Sequence, residues 1–212
     1  MKPLRDCRLY TFIDTAYLNA KDPQDIARQL CDGGSDLIQL RAKHSPKDHI
    51  QHLAELILPI TTRSGVRLVI NDHPAIALRL GADACHLGQE DFFDAGHIVA
   101  SQLTGCPPQI NLGLSTHAPE QAQRAIRAGP DYIAIGPVFA TETKPAAAPV
   151  TLDYVRWAAA NVTLPWFAIG GINLQNLGEV LAAGAQRICV VSAILNAPNV
   201  AKACEQFRKR LA

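Results

Sequence analysis

The chain carries little net charge: 20 Lys and Arg against 19 Asp and Glu leave +1, with an isoelectric point near 7.7. That balance argues against broad attraction to nucleic acid or an anionic membrane, so any anion it binds must be met locally. Paired cysteines are missing too. Cys7, Cys31, Cys85, Cys106, Cys189 and Cys204 form no CxxC and no paired spacing. This excludes a disulfide framework, disfavours a cysteine-ligated metal, and predicts reduced thiols, several of them buried. No uncharged apolar stretch reaches about 18 residues, and the opening MKPLRDCRLYTF holds no secretory apolar core. A soluble, cytoplasmic protein is the expectation. With no linker, low-complexity tract or composition shift, one domain over residues 1–212 is expected.

What the chain does have is a packed composition, 48% apolar and 18% charged, and a recurring pattern. Short β-rich runs appear every ~22 to 30 residues with helix-like segments between them. The candidate strands are 8–14, 37–43, 67–72, 84–88, 110–116, 132–139, 166–171 and 187–193. Helices are expected over 23–31, 47–61, 74–80, 118–128, 152–160, 174–183 and 200–210, with a weaker one over 92–103. Three of them end in Leu80-Gly-Ala-Asp, Ala128-Gly-Pro-Asp and Ala183-Gly-Ala-Gln, where glycine suits a left-handed helix stop. Eight βα units in 212 residues predict a single-domain (β/α)₈ TIM barrel. A doubly wound sheet is the rival, but no early G-x-G-x-x-G opens a helix.

In a parallel barrel the C-terminal strand ends converge on one face, where substrates bind. Gln39, Arg41 and Lys43 alternate and so share a face, and two cations there need anionic partners to justify desolvation. A phosphate or diphosphate suits them, with a solvated outward stripe as the alternative. Asp72 and Asp91 close the next two strands; they suit Mg²⁺, which takes one or two carboxylates and completes its shell with water and phosphate oxygens. Glu90 is a substitute, and Asp72 could instead cap the following helix, as Asn-Asp-x-Pro allows. Ser115 either bonds a phosphate or caps a helix, and His117 is either an acid/base group or structural. His44, His49 and His52 miss the HExxH spacing and form a solvated face. Gly170-Gly171, then Asn173 as N-cap, and Val191-Ser192-Ala193 suit a neutral phosphate cup of backbone N–H groups; glycines that merely permit close helix–strand packing are the alternative. The stretch Gly136–Pro145, GPVFATETKP, delivers two threonines and a lysine.

QLRAK, ND, GQED, the serine of GLST, GPVFATETK, IGG and VSA, in this order, closely resemble the thiamine-phosphate synthase family across essentially the whole chain. The resemblance implies the barrel fold and a Mg²⁺-dependent condensation of a hydroxymethylpyrimidine diphosphate with a thiazole phosphate, releasing diphosphate. Carried over by position, Gln39, Leu40, Arg41, Ala42, Lys43, Asn71, Ser115 and Lys144 hold the pyrimidine diphosphate, and Thr141, Glu142, Thr143, Gly171, Val191 and Ser192 the thiazole phosphate. Asp72 and Asp91 hold Mg²⁺, and Arg41, Lys43 and Lys144 stabilise the leaving group. Ala42 departs from the acidic residue usual in the family, and Pro145 restricts Lys144 to extended conformations. A thiazole tautomerase of the same superfamily, using His117, and a non-catalytic thiamine-phosphate-binding protein are the competing readings. Small-molecule substrates are the expected partners.

Overall fold

The computed structural model describes residues 1–105, 108–141 and 149–211. Its parallel strands are β1 (Leu9–Asp14), β2 (Leu37–Arg41), β3 (Arg67–Asn71), β4 (Ala84–Gly88), β5 (Asn111–Thr116), β6 (Tyr132–Ile135), β7 (Trp166–Ala168) and β8 (Ile188–Cys189). They follow one another round a closed barrel, and Leu9 and Tyr10 of β1 pair with Ile188 and Cys189 of β8 to complete it. The helices are α1 (Pro23–Asp32), α2 (Lys47–Arg63), α3 (Pro74–Leu80), α4 (Gln89–Asp94), α5 (Ser101–Thr104), α6 (Pro119–Arg127), α7 (Thr151–Asn161), α8 (Leu177–Ala182), α9 (Ser192–Leu195) and α10 (Val200–Arg210). The expected (β/α)₈ fold is therefore present. Among the described residues no helix is long and apolar enough to cross a membrane.

Several elements are shorter than their apolar runs suggest. β6 stops at Ile135 because Pro137 offers no N–H for the ladder. β7 stops at Ala168, before Gly170 and Gly171 turn to φ +106° and +64°. β8 is only Ile188–Cys189, and Ser192 opens α9 instead of ending the strand. The segment expected as one helix over 92–103 is two short pieces, α4 and α5. Asn173 does not cap α8: it accepts from the N–H groups of Gln175 and Asn176 (2.9 and 3.1 Å), closing a turn before the helix begins at Leu177. The glycine stops hold, with φ +65° at Gly81, +74° at Gly129 and +103° at Gly184.

Aromatic rings fill much of the barrel's interior. Tyr10 stacks on Phe12 with centroids 5.3 Å apart, and Phe167 meets Tyr10 and Tyr132 edge-on at 5.4 and 5.6 Å. Gly113 of β5 makes room: a Cβ there would lie 2.1 Å from the Tyr132 ring.

At the opposite, N-terminal end, one device recurs. The residue before β2, β4 and β6 is an aspartate: Asp36, Asp83 and Asp131. Each N–H donates to the carbonyl of Leu9, Leu68 or Leu112 on the preceding strand, at 2.8, 3.1 and 2.8 Å. Each carboxylate then accepts from the N–H of that same leucine, at 3.0, 2.9 and 2.7 Å. The two-point clamp sets the register of the strand pair. Asp36 carries most: Arg8 N–H, Lys2 (2.9 Å) and Arg208 of α10 (2.8 Å) also converge on it. Burial pushes its carboxyl up, but these donors and cations outweigh that and hold it below the usual value. At Asp83 and Asp131 burial prevails and the carboxyls are raised.

Asp36→Asn should lower the unfolding free energy by about 1–2 kcal/mol at neutral pH, because a buried carboxylate loses charge-assisted bonds to two cations that are themselves about a third exposed. A carboxylate whose folded pKa is depressed stabilises above its ordinary value of 3.8, and loses that contribution as pH falls through the folded value. The gap between wild type and variant in urea titrations should therefore narrow below about pH 4. A pH-independent gap, or none, would remove this role.

Candidate active site

The C-terminal mouth of the barrel encloses a cavity with two chemically different walls. On the first, Gln39, Arg41 and Lys43 all line the space, as their alternation predicts. Leu40 and Ala42 do not line it; they are buried in the hydrophobic core, 1% and 4% exposed. The register sets Arg41 beside Asp14 of β1, and its Nη1 lies 2.6 Å from Asp14 Oδ2. Asp14 is 1% exposed. The anion that justifies desolvating Arg41 is thus supplied within the protein.

Lys43 is more exposed, and its Nζ lies 3.6 Å from Asp72 Oδ2. Asn71 donates to the same Asp72 oxygen at 2.6 Å. Asp72 is not a helix cap: that position belongs to His73, which makes no capping bond through its side chain. Asp72 instead holds φ +62° and donates its N–H to the His86 carbonyl at 2.9 Å. That conformation is uncommon outside glycine, and aspartate is among the side chains that adopt it most readily. Asp91 reaches the mouth from the first turn of α4 across Gly88, where a Cβ would stand 2.7 Å from Asp91 Oδ2. Glu90 is exposed and points to Gln121 at 3.4 Å, outside this cavity. His44, His49 and His52 are exposed.

Ser115 also lines the mouth and does not cap α6, whose N-cap is Ala118. Its Oγ meets His86 Nε2 at 2.8 Å, and His86 Nδ1 meets Tyr132 Oη at 3.2 Å. Tyr132 and Tyr10 hydroxyls are 3.1 Å apart, and Gln39 Nε2 donates to Tyr10 at 2.6 Å. This buried chain runs from β2 to β5 through three other strands. Tyr10, His86 and Tyr132 escape a reading of strand ends because two of them sit mid-strand. The one sequence signal is that tyrosine and histidine occupy strand positions otherwise given to aliphatic residues. His117 lines the cavity with its Nδ1 hydrogen-bonded to the Gly136 carbonyl.

The second wall is neutral. Thr141, Gly171, Val191 and Ser192 line it, beside Gly170 and Ile172. The first N–H groups of any helix lack intrahelical partners. Among the described residues no backbone carbonyl accepts from those of Ser192 or Ala193 at the start of α9. The glycines also serve packing, though against a loop: Val138 and Phe139 donate to the Ile169 and Gly170 carbonyls at 2.8 and 3.1 Å. A Cβ on Gly170 would lie 2.4 Å from Pro137 Cα, and one on Gly171 2.6 Å from the Ala140 carbonyl. Asn176 pins the Gly171 carbonyl at 2.9 Å. Glu142, Thr143 and Lys144 lie outside the described residues.

The donor set suits Mg²⁺. Asp72 and Asp91 offer hard carboxylate oxygens on one wall, and among the described residues no group of three or more His, Cys, Asp or Glu is arranged to hold a metal. Two carboxylates with the rest of the shell left to substrate and water is how Mg²⁺ is held beside phosphates.

A (β/α)₈ barrel with a charged wall facing a backbone-lined one defines an enzyme mouth for anionic substrates. The chain belongs to the thiamine monophosphate synthase family, whose model matches residues 9–194. It is a transferase. The thiamine-phosphate synthase of Thermus thermophilus is 47% identical over 182 residues, 84% of each chain. That of Halalkalibacterium halodurans is 37% identical over 207 residues, 96% of this chain and 95% of its own. Among solved structures, the thiamine phosphate pyrophosphorylase of Pyrococcus furiosus superposes with a TM-score of 0.83 at 28% identity, over 99% and 98% of the two chains.

Gly170→Ala should cost about 2 kcal/mol or more, since it adds a backbone collision to a disallowed φ. Chemical denaturation measures it; an unchanged midpoint would mean that the loops after β6 and β7 do not depend on this close approach.

Proposed function

We propose that this mouth joins 4-amino-2-methyl-5-(diphosphooxymethyl)pyrimidine to 4-methyl-5-(2-phosphoethyl)thiazole, or its carboxylated precursor, giving thiamine phosphate and diphosphate. The observation that carries the assignment of sides is the asymmetry of the two walls. The diphosphate belongs with Arg41, Lys43, Asn71 and Ser115, where cations and donors cluster. The thiazole phosphate belongs with Thr141, Gly171, Val191 and Ser192, where neutral N–H groups gather. Glu142 and Thr143 join the second set and Lys144 the first, by their place in the TETK run.

Asp72 and Asp91 would hold Mg²⁺, which when bound offsets the charge of the departing diphosphate. Arg41, Lys43 and Lys144 add cationic stabilisation where negative charge develops. The aminopyrimidine is electron-rich and can carry a methylene cation, so the displacement is dissociative. The thiazole nitrogen, placed through its phosphate, captures that cation. No enzymic nucleophile is called for. The chemistry comes from positioning and charge.

The direct test is an assay with both substrates, with and without Mg²⁺, followed by diphosphate release. Release that requires both substrates and the metal is expected. Isomerisation of the thiazole alone would point to tautomerase chemistry centred on His117. Asp91→Ala and Lys144→Ala should each reduce turnover at least about tenfold, about 1.4 kcal/mol of barrier, with circular dichroism unchanged. Wild-type turnover in either variant would sink the role given to that residue.

A further inference from the structure

With a neutral His86 ring, the buried chain of Gln39, Tyr10, Tyr132, His86 and Ser115 has two hydrogen-bond directions in which every link is made by one hydrogen. A hydroxyl has one hydrogen to give, and a neutral imidazole donates from one nitrogen and accepts at the other. The end groups therefore decide the direction for every member. Gln39 meets Tyr10 through Nε2, a donor with no lone pair to offer, at 2.6 Å. Tyr10 must then donate its hydrogen to Tyr132, 3.1 Å away. Tyr132 gives its own to His86 Nδ1 at 3.2 Å. With Nδ1 accepting, the neutral ring carries its proton on Nε2 and donates it to Ser115 Oγ at 2.8 Å. One hydrogen is left over. It is the hydroxyl hydrogen of Ser115, and Ser115 lines the mouth.

We infer that Tyr132 and His86 are positioning residues, acting through Ser115 by making it an obligate hydrogen-bond donor to the bound pyrimidine diphosphate. The same polarity turns the Gln39 carbonyl away from Tyr10, leaving an acceptor at the other end of the chain. Had Gln39 offered its carbonyl to Tyr10, every bond would reverse, His86 would carry its proton on Nδ1, and Ser115 would present lone pairs. Lone pairs facing a diphosphate repel it, so only the first direction suits the substrate. Burial raises both tyrosine hydroxyls well above their ordinary range, which keeps both hydrogens in the chain. His86 is 7% exposed and Gln39 2%, so water has little access to break the order.

The polarity can be read without any substrate. In a long-range ¹H–¹⁵N spectrum of the labelled protein at neutral pH, with His86 assigned by difference from His86→Gln, His86 should be neutral with its proton on Nε2. An Nδ1-protonated or doubly protonated ring would overturn the inference. The kinetic arm rests on the function proposed above. Tyr132→Phe and Ser115→Ala should each lower kcat/KM for the pyrimidine diphosphate about tenfold, about one hydrogen bond to a charged group. The KM for the thiazole phosphate should stay within about twofold, and the double variant should be no worse than Ser115→Ala, because the tyrosine acts through the serine. Additive losses would overturn it. Should Tyr132→Phe fail to fold, the wild-type spectrum alone decides. A chain without synthase activity but with the Nε2-protonated ring would refute the functional reading while leaving the polarity intact.

Discussion

The mouth depends on register, and register depends on the aspartates at the far end of the barrel. A slip of one residue in a strand sends every side chain to the opposite face. Moving β2 by one position would turn Gln39, Arg41 and Lys43 toward the helices and Leu40 and Ala42 toward the cavity. Asp36, Asp83 and Asp131 oppose this by gripping the N–H and the carbonyl of a single leucine, a two-point contact that a slip must break. The clamp is placed where shape matters and chemistry does not, while the catalytic end keeps its charges for the substrate. The residue before β8 is Arg187 instead of an aspartate, and that strand is only Ile188–Cys189. The last consecutive pair, β7 and β8, has no such clamp among the described residues and contains the two shortest strands.

The charged wall shows how an enzyme keeps cations and carboxylates together before the substrate arrives. Arg41 is neutralised by Asp14 at 2.6 Å, and Lys43 faces Asp72 at 3.6 Å. The two pairs differ in kind. Asp14 is almost wholly buried, so losing its partner would strand a charge in a low-dielectric setting, and the pair is a fixed part of the mouth. Lys43 and Asp72 are 38% and 28% exposed, where water screens much of their attraction. That pair can separate at little cost. Arg41 gives a fixed field and Lys43 an adjustable one.

Sequence revealed the parts of this design that are local. Alternation placed Gln39, Arg41 and Lys43 on one face, glycine spacing gave the helix stops, and Asn71-Asp72 marked the end of β3. What stayed hidden came from contacts between strands far apart in the chain. Nothing near Arg41 announces Asp14, 27 residues away. Nothing near Ser115 announces Tyr132 or Tyr10. Likewise Val191-Ser192-Ala193 reads as a strand running on, because the same apolar residues suit a short helix packed over the barrel's end. The alternative reading of Asp72, as a helix cap, fails for a local reason: its φ of +62° lies outside the extended range that a cap needs, and His73 takes that place.

The interior chain joins these levels. A barrel of this size needs its centre filled, and branched aliphatics usually do that. Here tyrosine and histidine fill it, so polar atoms enter a region where each must be satisfied or cost about 1–3 kcal/mol. The chain solves the problem by running bond to bond until both of its ends, Ser115 and Gln39, reach the mouth. Packing and recognition thus become one requirement. Both ends of the chain open on the mouth, where water or a bound group can satisfy them, so the interior is filled without stranding a polar atom.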